Sequence, residues 1–307
     1  GAVSPDVAKS NAVGVATVDG TKATIELLDG ILTLEGQTTY SGAAAAKLNG
    51  CLVTVSSYKR DYLTLSKVNG KGASTALNLT TNRMGTKELS AGARFFEQVG
   101  NGRLVEIDRS DITIASIPAN KITYVGYDWA GRVDKLVLND VTGDCYDYGM
   151  IYYRAAGYEE SKDDGSEGSY QNGEIRVTNG SHTDGVSYVV GSVDGAKTNR
   201  MGGVAGSLDQ LDGKNRMAAF MPLNEATGIR RAQFNTDAML LTTNSMVIPI
   251  SDKVECYNKT TGDWFKPGED GDHKAALNLA LAFSDDITVY YDRSPEEGGK
   301  VRIVVVE

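Results

Sequence analysis

Residues 122–139 read ITYVGYDWAGRVDKLVLN, and this stretch decides the fold because it occurs a second time in the chain. Residues 287–307 read ITVYYDRSPEEGGKVRIVVVE. The matching positions are Ile122-Thr123 and Ile287-Thr288, Asp128 and Asp292, and Gly131-Arg132-Val133 and Gly299-Lys300-Val301. Both stretches end in a basic and then apolar strand after a glycine turn. This pattern predicts two copies of one β module.

The similarity extends upstream, so the related windows are residues 93–139 and 253–307. Each window has the pattern strand, turn, strand, connector, strand, turn, strand. The connectors differ, because the second window carries a helical pattern where the first has residues 111–118. We therefore predict two tandem modules, residues 1–140 and residues 141–307, and expect each to be a small barrel or sandwich.

Turn dipeptides occur along the whole chain and favour hairpins. Asn-Gly occurs five times and Asp-Gly seven times. These dipeptides tolerate the positive φ angles that type I′ turns require. Between them, Lys22–Leu28 and Glu174–Thr178 alternate between apolar and polar residues, as half-buried strands do. The predicted class is all-β.

Helical patterns are few, with candidates at Ser41–Asn49 and Asp272–Phe283. In the second candidate Asp272 is placed to cap the N-terminus, and Ala276, Leu279, Ala280 and Phe283 recur at helical spacing. The polar run at residues 159–168 is either a linker or a hairpin loop. We favour the loop because its flanking segments have strand patterns.

Composition excludes several functional classes. The 307 residues carry 31 basic and 40 acidic side chains, a net charge of −9, which disfavours nucleic-acid partners. We expect no membrane insertion, because no apolar run approaches the ~18 residues of a membrane helix. Cys51, Cys145 and Cys256 form no CxxC pair and are expected to be three small buried thiols.

The sequence nominates no catalytic, cofactor-binding or metal-binding residue. His182 and His273 are the two histidines, and neither belongs to a metal-binding spacing. The acidic turn Glu269-Asp270-Asp272 could bind calcium but lacks the EF-hand pattern, so turn formation and solubility are the favoured interpretation. No nucleophile elbow and no P-loop are present. We predict no enzyme activity and no cofactor.

Aromatic residues offer one further possibility. A strip of tyrosines could stack on sugar rings if it is exposed, or could cover a module core. It comprises Tyr146, Tyr148, Tyr152 and Tyr153. We favour the second interpretation, and expect Trp129 and Trp264-Phe265 to plug barrel or sandwich ends.

Two longer stretches carry a family resemblance. Residues 122–151, ITYVGYDWAGRVDKLVLNDVTGDCYDYGMI, are similar to the β-rich region beside S-layer homology domains in surface proteins of Gram-positive, clostridia-like bacteria. DKVECYNKTTGDWF at residues 252–265 and FSDDITVYYDRSPEEGGKVRIVVVE at 283–307 resemble the same proteins. The resemblance covers roughly residues 93–153 and 247–307. It offers no catalytic positions, and no S-layer homology motif is present here.

The resemblance implies a secreted protein associated with the bacterial cell envelope. The expected function is a non-catalytic structural or interaction module of an S-layer-type protein. Its expected partners are cell-wall polymer or other surface proteins, reached through the parent chain. The alternative is a carbohydrate-binding or adhesive module that recognises cell-wall or environmental glycans. The first ten residues lack the features of a signal peptide, and we expect the chain to be part of a longer protein.

Overall fold

The structure is a computed structural model that describes residues 13–19, 22–28, 30–35, 37–40, 43–59, 62–68, 72–159 and 169–307. Strands account for 54% of it. Within the described ranges there is one α-helix, accompanied by short 3₁₀ segments. The predicted all-β class with minor helix is confirmed.

The first sheet has seven strands, and their bounds are β1 Val13–Asp19, β2 Lys22–Leu27, β3 Gly30–Glu35, β4 Gln37–Tyr40, β5 Ala43–Ala44, β6 Leu52–Lys59 and β7 Tyr62–Lys67. The strand order is β3-β2-β1-β6-β7-β4-β5. The predicted alternation in β2 is confirmed, because Ala23, Ile25 and Leu27 are all buried. They pack with Val53, Val55 and other residues of β1, β6 and β7 into one apolar cluster.

The second sheet is the first copy of the repeat. Its strands are β8 Leu77–Asn78, β9 Arg83–Met84, β10 Lys87–Gln98, β11 Val105–Ile107, β12 Ser116–Ile117, β13 Ile122–Tyr127 and β14 Val133–Asn139. The order is β12-β8-β9-β10-β14-β13, and β11 pairs with β10. β10 and β14 are parallel, whereas β13 is antiparallel to β14.

A closed five-stranded barrel follows. The strands of this region are β15 Asp147–Arg154, β16 Gly157–Glu159, β17 Ser169–Gln171, β18 Gly173–Thr178, β19 Val186–Val190, β20 Met201–Leu211 and β21 Lys214–Pro222. The barrel order is β15-β18-β19-β21-β20, and β16 and β17 form a separate hairpin. The predicted pairing of the segments beside residues 159–168 is confirmed by β15 and β18, although residues 160–168 lie outside the described residues. Asp212 and Gly213 connect β20 to β21 with φ angles of 54° and 75°, as a type I′ turn requires.

The last sheet is the second copy of the repeat and carries the helix. Its elements are β22 Asn224–Ile229, β23 Phe234–Asn235, β24 Leu240–Thr242, β25 Val247–Asn258, β26 Asp263–Phe265, α1 His273–Phe283, β27 Ile287–Tyr291 and β28 Val301–Val306. The order is β22-β27-β28-β25-β24-β23, and β26 pairs with β25. Helix α1 covers one face of this sheet, where Leu277, Ala280 and Leu281 share an apolar cluster with Val304 and Val306.

Four strands in residues 93–139 and four in residues 253–307 are paired in the same way. The long strands β10 and β25 are each parallel to the final strand of their copy, β14 and β28. Strands β13 and β27 are antiparallel to those final strands, and β11 and β26 pair with the long strands. The second copy adds α1 in its connector, as predicted.

The sheets before the repeats also share a strand order. In the barrel, β15, β18 and β19 pair in succession, β19 is parallel to β21, and β20 returns to β15. In the first sheet, β1, β2 and β3 pair in succession, β4 is parallel to β7, and β6 pairs with both β7 and β1. β3 and β4 are one residue apart and together correspond to the third strand, β19, of the barrel. If the strands of each sheet are numbered in this way from 1 to 5, both sheets have the order 1-2-3-5-4, and strand 4 also pairs with strand 1. This is the strand order of an OB-type barrel.

The chain divides by internal contacts into two compact units. Unit 1 comprises residues 1–141 and 206–209, and unit 2 comprises residues 142–205 and 210–307. We predicted a module boundary between residues 140 and 141. The assignment of residues 1–140 and 141–307 as two modules stays a prediction.

Two expectations about helices were wrong in part. The candidate at residues 41–49 contains the two-residue strand β5 and a 3₁₀ turn at Ala45–Leu48 instead of an α-helix. In α1, Asp272 caps the helix as predicted by accepting from the Ala275 amide. The buried face, however, includes Leu277 and Leu281, whereas Leu279 and Phe283 are exposed.

Candidate functional site

A cleft lies on the face of the last sheet that is opposite α1, within unit 2. We call it the sheet cleft, and its volume is about 580 Å³. This lies within the usual range of ligand pockets, about 300–1,000 Å³. Its lining residues are Met150, Asn199, Met201, Glu225, Thr227, Tyr257, Lys259, Asp286, Thr288, Tyr290, Val305 and Glu307.

Strand alternation places these side chains on one face. Successive side chains of a strand point to opposite faces, so residues at intervals of two share a face. Tyr257 is paired with Val305, and Val305 is paired with Thr288, so these three form a row across β25, β28 and β27. Tyr290 and Glu225 are paired across β27 and β22. The alternate residues of the same strands face α1.

Hydrogen bonding and stacking fix the aromatic side chains of the cleft. The Tyr290 hydroxyl donates to Glu225 Oε2 at 2.7 Å. Burial raises the pKa of Tyr290, and the hydrogen bond to Glu225 raises this pKa further. The ring of Tyr257 packs against Trp264, with centroids 4.9 Å apart and planes inclined by 48°. Both tyrosines are therefore held in place before any ligand arrives.

The remaining wall of the cleft comes from the barrel. Met150 belongs to β15 and Met201 to β20, and Asn199 precedes β20. Asn199 has a φ angle of 65° and its amide donates to the Ile151 carbonyl at 2.8 Å. It belongs to the second of two TNRMG pentapeptides, at residues 81–85 and 198–202, in which Asn82 also has a positive φ angle, 56°. The pentapeptide thus marks a recurring turn before a strand.

A second, smaller cleft lies on the barrel. This barrel cleft has a volume of about 380 Å³ and is lined by Arg154, Gln171, Asn172, Gly173, Glu174, Tyr188, Val189, Asp212 and Lys214. Arg154 Nη1 donates to Gln171 Oε1 at 3.1 Å and to the Asn172 carbonyl at 3.0 Å. Glu174 accepts from the Ser187 hydroxyl at 3.0 Å. Several polar side chains of this cleft are therefore already hydrogen-bonded within the protein.

A buried carboxylate joins the turn after β18 to the last sheet. Glu255 is 5% exposed, and it accepts hydrogen bonds from the Ser181 hydroxyl at 2.6 Å and the Gly180 amide at 3.0 Å. His273 Nδ1 lies 3.8 Å from Glu255 Oε1 and 3.0 Å from the Val254 carbonyl oxygen. Because a carbonyl oxygen can only accept, Nδ1 carries the hydrogen. Burial raises the pKa of Glu255 to about 7.

A second buried charged group surrounds Arg302, and we call it the ion cluster. Arg302 is 3% exposed and donates to Asp144 at 2.7 Å and to Asp292 at 3.1 Å. Lys300 Nζ contacts both oxygens of Asp144, at 3.1 and 3.2 Å. The guanidinium also lies over the Tyr148 ring, 4.9 Å from its centroid. These contacts attach the segment before β15 to β28.

The structure places the aromatic residues that were singled out in the sequence. Tyr146 and Tyr148 are buried, which agrees with the core interpretation of the tyrosine strip. Tyr153 packs on the barrel core, and Tyr152 lies under the Arg176 guanidinium at 4.7 Å. Trp129 is 95% exposed, so the expectation that it plugs a barrel end was wrong.

The histidines, cysteines and acidic turn also lie apart from the sheet cleft. His182 is exposed in a turn, as expected, whereas His273 is half-buried beside Glu255. Cys256 is buried, whereas Cys51 and Cys145 are half-buried. The expectation that all three thiols are buried was therefore wrong for two of them. Asp272 of the acidic turn caps α1. Across the part of the chain that the structure describes, no group of three or more His, Cys, Asp or Glu residues could hold a metal ion.

The residues of the sheet cleft were not found by sequence reasoning. The residue types gave only a weak indication of a binding site: Tyr257 and Tyr290 are aromatic residues in strands that are otherwise strongly apolar. Their proximity depends on the parallel pairing of β25 with β28, which joins segments about 40 residues apart and has no local sequence pattern.

Comparison of the chain with protein-family models, with curated proteins and with solved structures finds no match. Within the described residues, none of the helical segments has both the length and the apolar character needed to cross a bilayer.

Proposed function

We propose that this chain is a non-catalytic structural and interaction module of a secreted, cell-envelope-associated bacterial protein of the S-layer type. The observation that carries the proposal is the duplication of a whole scaffold, an OB-type strand order followed by the repeated sheet. Tandem copies of one β module are a common way to build extended surface proteins. The sequence resemblance over residues 93–153 and 247–307 supports the same assignment.

The contacts within unit 2 support a structural role. The ion cluster joins residue 144 to β28, and Glu255 joins the turn after β18 to β25. Both connections consist of hydrogen bonds to buried polar side chains, and breaking them would leave buried polar atoms without partners. A module that must keep its shape outside the cell benefits from such connections between its parts.

The module acts on its surroundings by binding. Its partners are cell-wall polymer or other surface proteins, and the parent chain brings it to them. The acidic surface, with a net charge of −9, favours solubility and disfavours polyanions. Glycan binding is the second candidate function, and the sheet cleft, unlike the tyrosine strip, provides an open polar and aromatic surface for it.

The experiment that tests the envelope assignment is the sequence of the complete gene, followed by fractionation of the source cells. We expect a secretion signal and an envelope-anchoring domain in the parent protein, and we expect antibody against this chain to detect it in the cell-wall fraction. A parent that has neither feature and stays in the cytoplasmic fraction contradicts the proposal. Release of reducing ends from purified cell wall by the chain would contradict its non-catalytic part.

A further inference from the structure

We infer that the sheet cleft is a binding site for an uncharged glycan. This inference rests on glycan binding, the second candidate function named above, and deepens it by assigning the site and the charge class of the ligand. Three features carry the inference: the contrast between the two copies of the repeat, the side chains that line the cleft, and the charge of its lining.

The first copy of the repeat serves as an internal comparison, because the same face of its sheet is filled. Phe96 is paired with Val137 in β10 and β14, as Tyr257 is paired with Val305 in β25 and β28. Phe96 and Val137 are buried in an apolar cluster with Leu104 and with Val15 and Leu28 of the first sheet. The fold therefore allows this face to be closed by ordinary apolar packing.

The second copy has polar residues on this face and leaves it open. Tyr257 takes the place of Phe96, and the residue paired with Val305 is the smaller Thr288, whereas Tyr124 is paired with Val137 in the first copy. Glu225 and Thr227 are exposed at the edge. Replacing apolar core residues with polar ones usually costs stability unless the polar groups reach water or a ligand. The open volume of about 580 Å³ is thus a feature of this copy and is not imposed by the fold.

The lining residues match the chemistry of a sugar. A pyranose ring has apolar C–H faces and a rim of hydroxyl groups that both donate and accept hydrogen bonds. Tyrosine rings pack on apolar faces while their hydroxyls stay polar, and the cleft has Tyr257 and Tyr290. Asn199 and the threonine hydroxyls can donate and accept, and the carboxylates accept from sugar hydroxyls.

The charge of the lining selects an uncharged ligand. Three lining residues are acidic, Glu225, Asp286 and Glu307, and one is basic, Lys259. Lys259 Nζ lies 3.8 Å from Glu307 Oε2, so its charge is already partly balanced. Phosphate-rich or uronic acid polymers would therefore be repelled.

The test is an NMR titration of the whole chain with uncharged oligosaccharides: tetramers of N-acetylglucosamine, glucose, mannose, galactose and rhamnose. A tetramer of galacturonic acid serves as the anionic comparison. We expect at least one uncharged tetramer to bind with a dissociation constant of about 1 mM or tighter. The amide signals of Tyr257, Thr288 and Val305 should shift, and the anionic tetramer should leave them unchanged.

Variants then locate the site. Tyr257→Ala and Glu225→Gln should each weaken binding about 10-fold, and Thr227→Trp should block it by filling the cleft. Tyr127→Ala and Glu296→Gln are the matched controls, because both residues are exposed outside the cleft, and they should bind as the parent chain does. Circular dichroism and the melting temperature check that each variant is folded. Glu225→Gln and Thr227→Trp change exposed side chains and keep the test informative if Tyr257→Ala unfolds.

Two results would overturn the inference. One is that none of the five uncharged tetramers binds at about 10 mM. The other is binding that persists in Thr227→Trp and Glu225→Gln, which would place the glycan elsewhere. Neither result bears on the envelope assignment, which is decided by the parent gene and by cell fractionation.

Discussion

At the scale of single residues, the protonation of Glu255 is linked to folding. Its carboxyl is nearly inaccessible to water, and burial raises its pKa from 4.5 to about 7. The nearby carboxyl of Asp147 also has a raised pKa, caused first by burial and opposed by His182 and by the hydrogen bond from Asn179. Folding therefore shifts the protonation equilibrium of both carboxyls towards the neutral acid.

We predict that Glu255→Gln removes part of the pH dependence of stability. A carboxyl with a raised folded pKa contributes its full stability below the unfolded pKa of about 4.5 and loses it as the pH rises through about 7. The loss for Glu255 is roughly 3 kcal/mol, because each pKa unit corresponds to about 1.4 kcal/mol. Urea unfolding at pH 4.5, 6 and 8 measures the effect, and the variant should show the smaller decline between pH 4.5 and 8.

Glu296→Gln is the control for this measurement, because it makes the same substitution at an exposed position. A parent chain whose free energy of unfolding rises between pH 4.5 and 8, with Glu255→Gln unchanged in slope, would show that Glu255 is ionised in the folded protein.

Two glycines with the same backbone angle allow a second prediction at this scale. Gly143 and Gly213 both have a φ angle of 75°. A Cβ atom on Gly143 would lie 2.3 Å from Asp292 Oδ2 and 2.7 Å from Arg302 Nη2, whereas one on Gly213 would meet nothing within 4 Å. Gly213→Ala should cost about 1 kcal/mol, the usual penalty for a left-handed residue with a side chain. Gly143→Ala should cost roughly 2 kcal/mol more, because it also displaces the ion cluster.

Chemical denaturation of the two alanine variants measures this difference directly. Equal losses of stability would mean that the ion cluster relaxes around the added methyl group, and that it is less rigid than its burial implies.

At the scale of elements, α1 shows how sequence periodicity can identify a helix and misplace its buried face. Ala276 and Ala280 were correctly predicted to be buried. Two apolar pairs of residues could complete the buried face beside these alanines. One pair is Leu277 and Leu281, and the other is Leu279 and Phe283. The sheet selects the first, since Leu277 and Leu281 pack with Val304 and Val306. Which pair is buried depends on how the helix is rotated on the sheet, and the spacing of apolar residues in the sequence does not determine this rotation.

The corrected face predicts opposite results for two leucines on α1. Leu277 is 0% exposed and Leu279 is 59% exposed. Leu277→Ala should lower the free energy of unfolding by about 2–5 kcal/mol, because it leaves a cavity against the sheet. Leu279→Ala should change it by less than about 0.5 kcal/mol. Thermal and urea unfolding of both variants compare them under the same conditions, and a larger loss for Leu279→Ala would restore the face expected from the sequence.

At the scale of the whole molecule, the sequence predicted the parts that depend on local patterns and internal similarity. Turn dipeptides and the alternation of apolar and polar residues predicted the all-β class, and the match between residues 122–139 and 287–307 predicted the repeated sheet. The shared strand order of the first sheet and the barrel was not predicted, because their strands have no matching motif. The sheet cleft was missed for a related reason: it is assembled by pairing between distant strands, and Tyr257 has the same local pattern as a core residue.

The duplication leads to a final prediction, in which corresponding residues of the two copies are exchanged. Phe96→Tyr places a hydroxyl in a cluster where Phe96 is 4% exposed, and it should cost roughly 2 kcal/mol because a buried hydroxyl without a partner loses its hydrogen bonds to water. Tyr257→Phe should change the free energy of unfolding by less than about 0.5 kcal/mol, because Tyr257 borders an open cleft. Urea unfolding of the two single variants measures both values. Similar losses in the two copies would mean that the cleft is as closed as its counterpart, and a ligand site there would lose its physical basis.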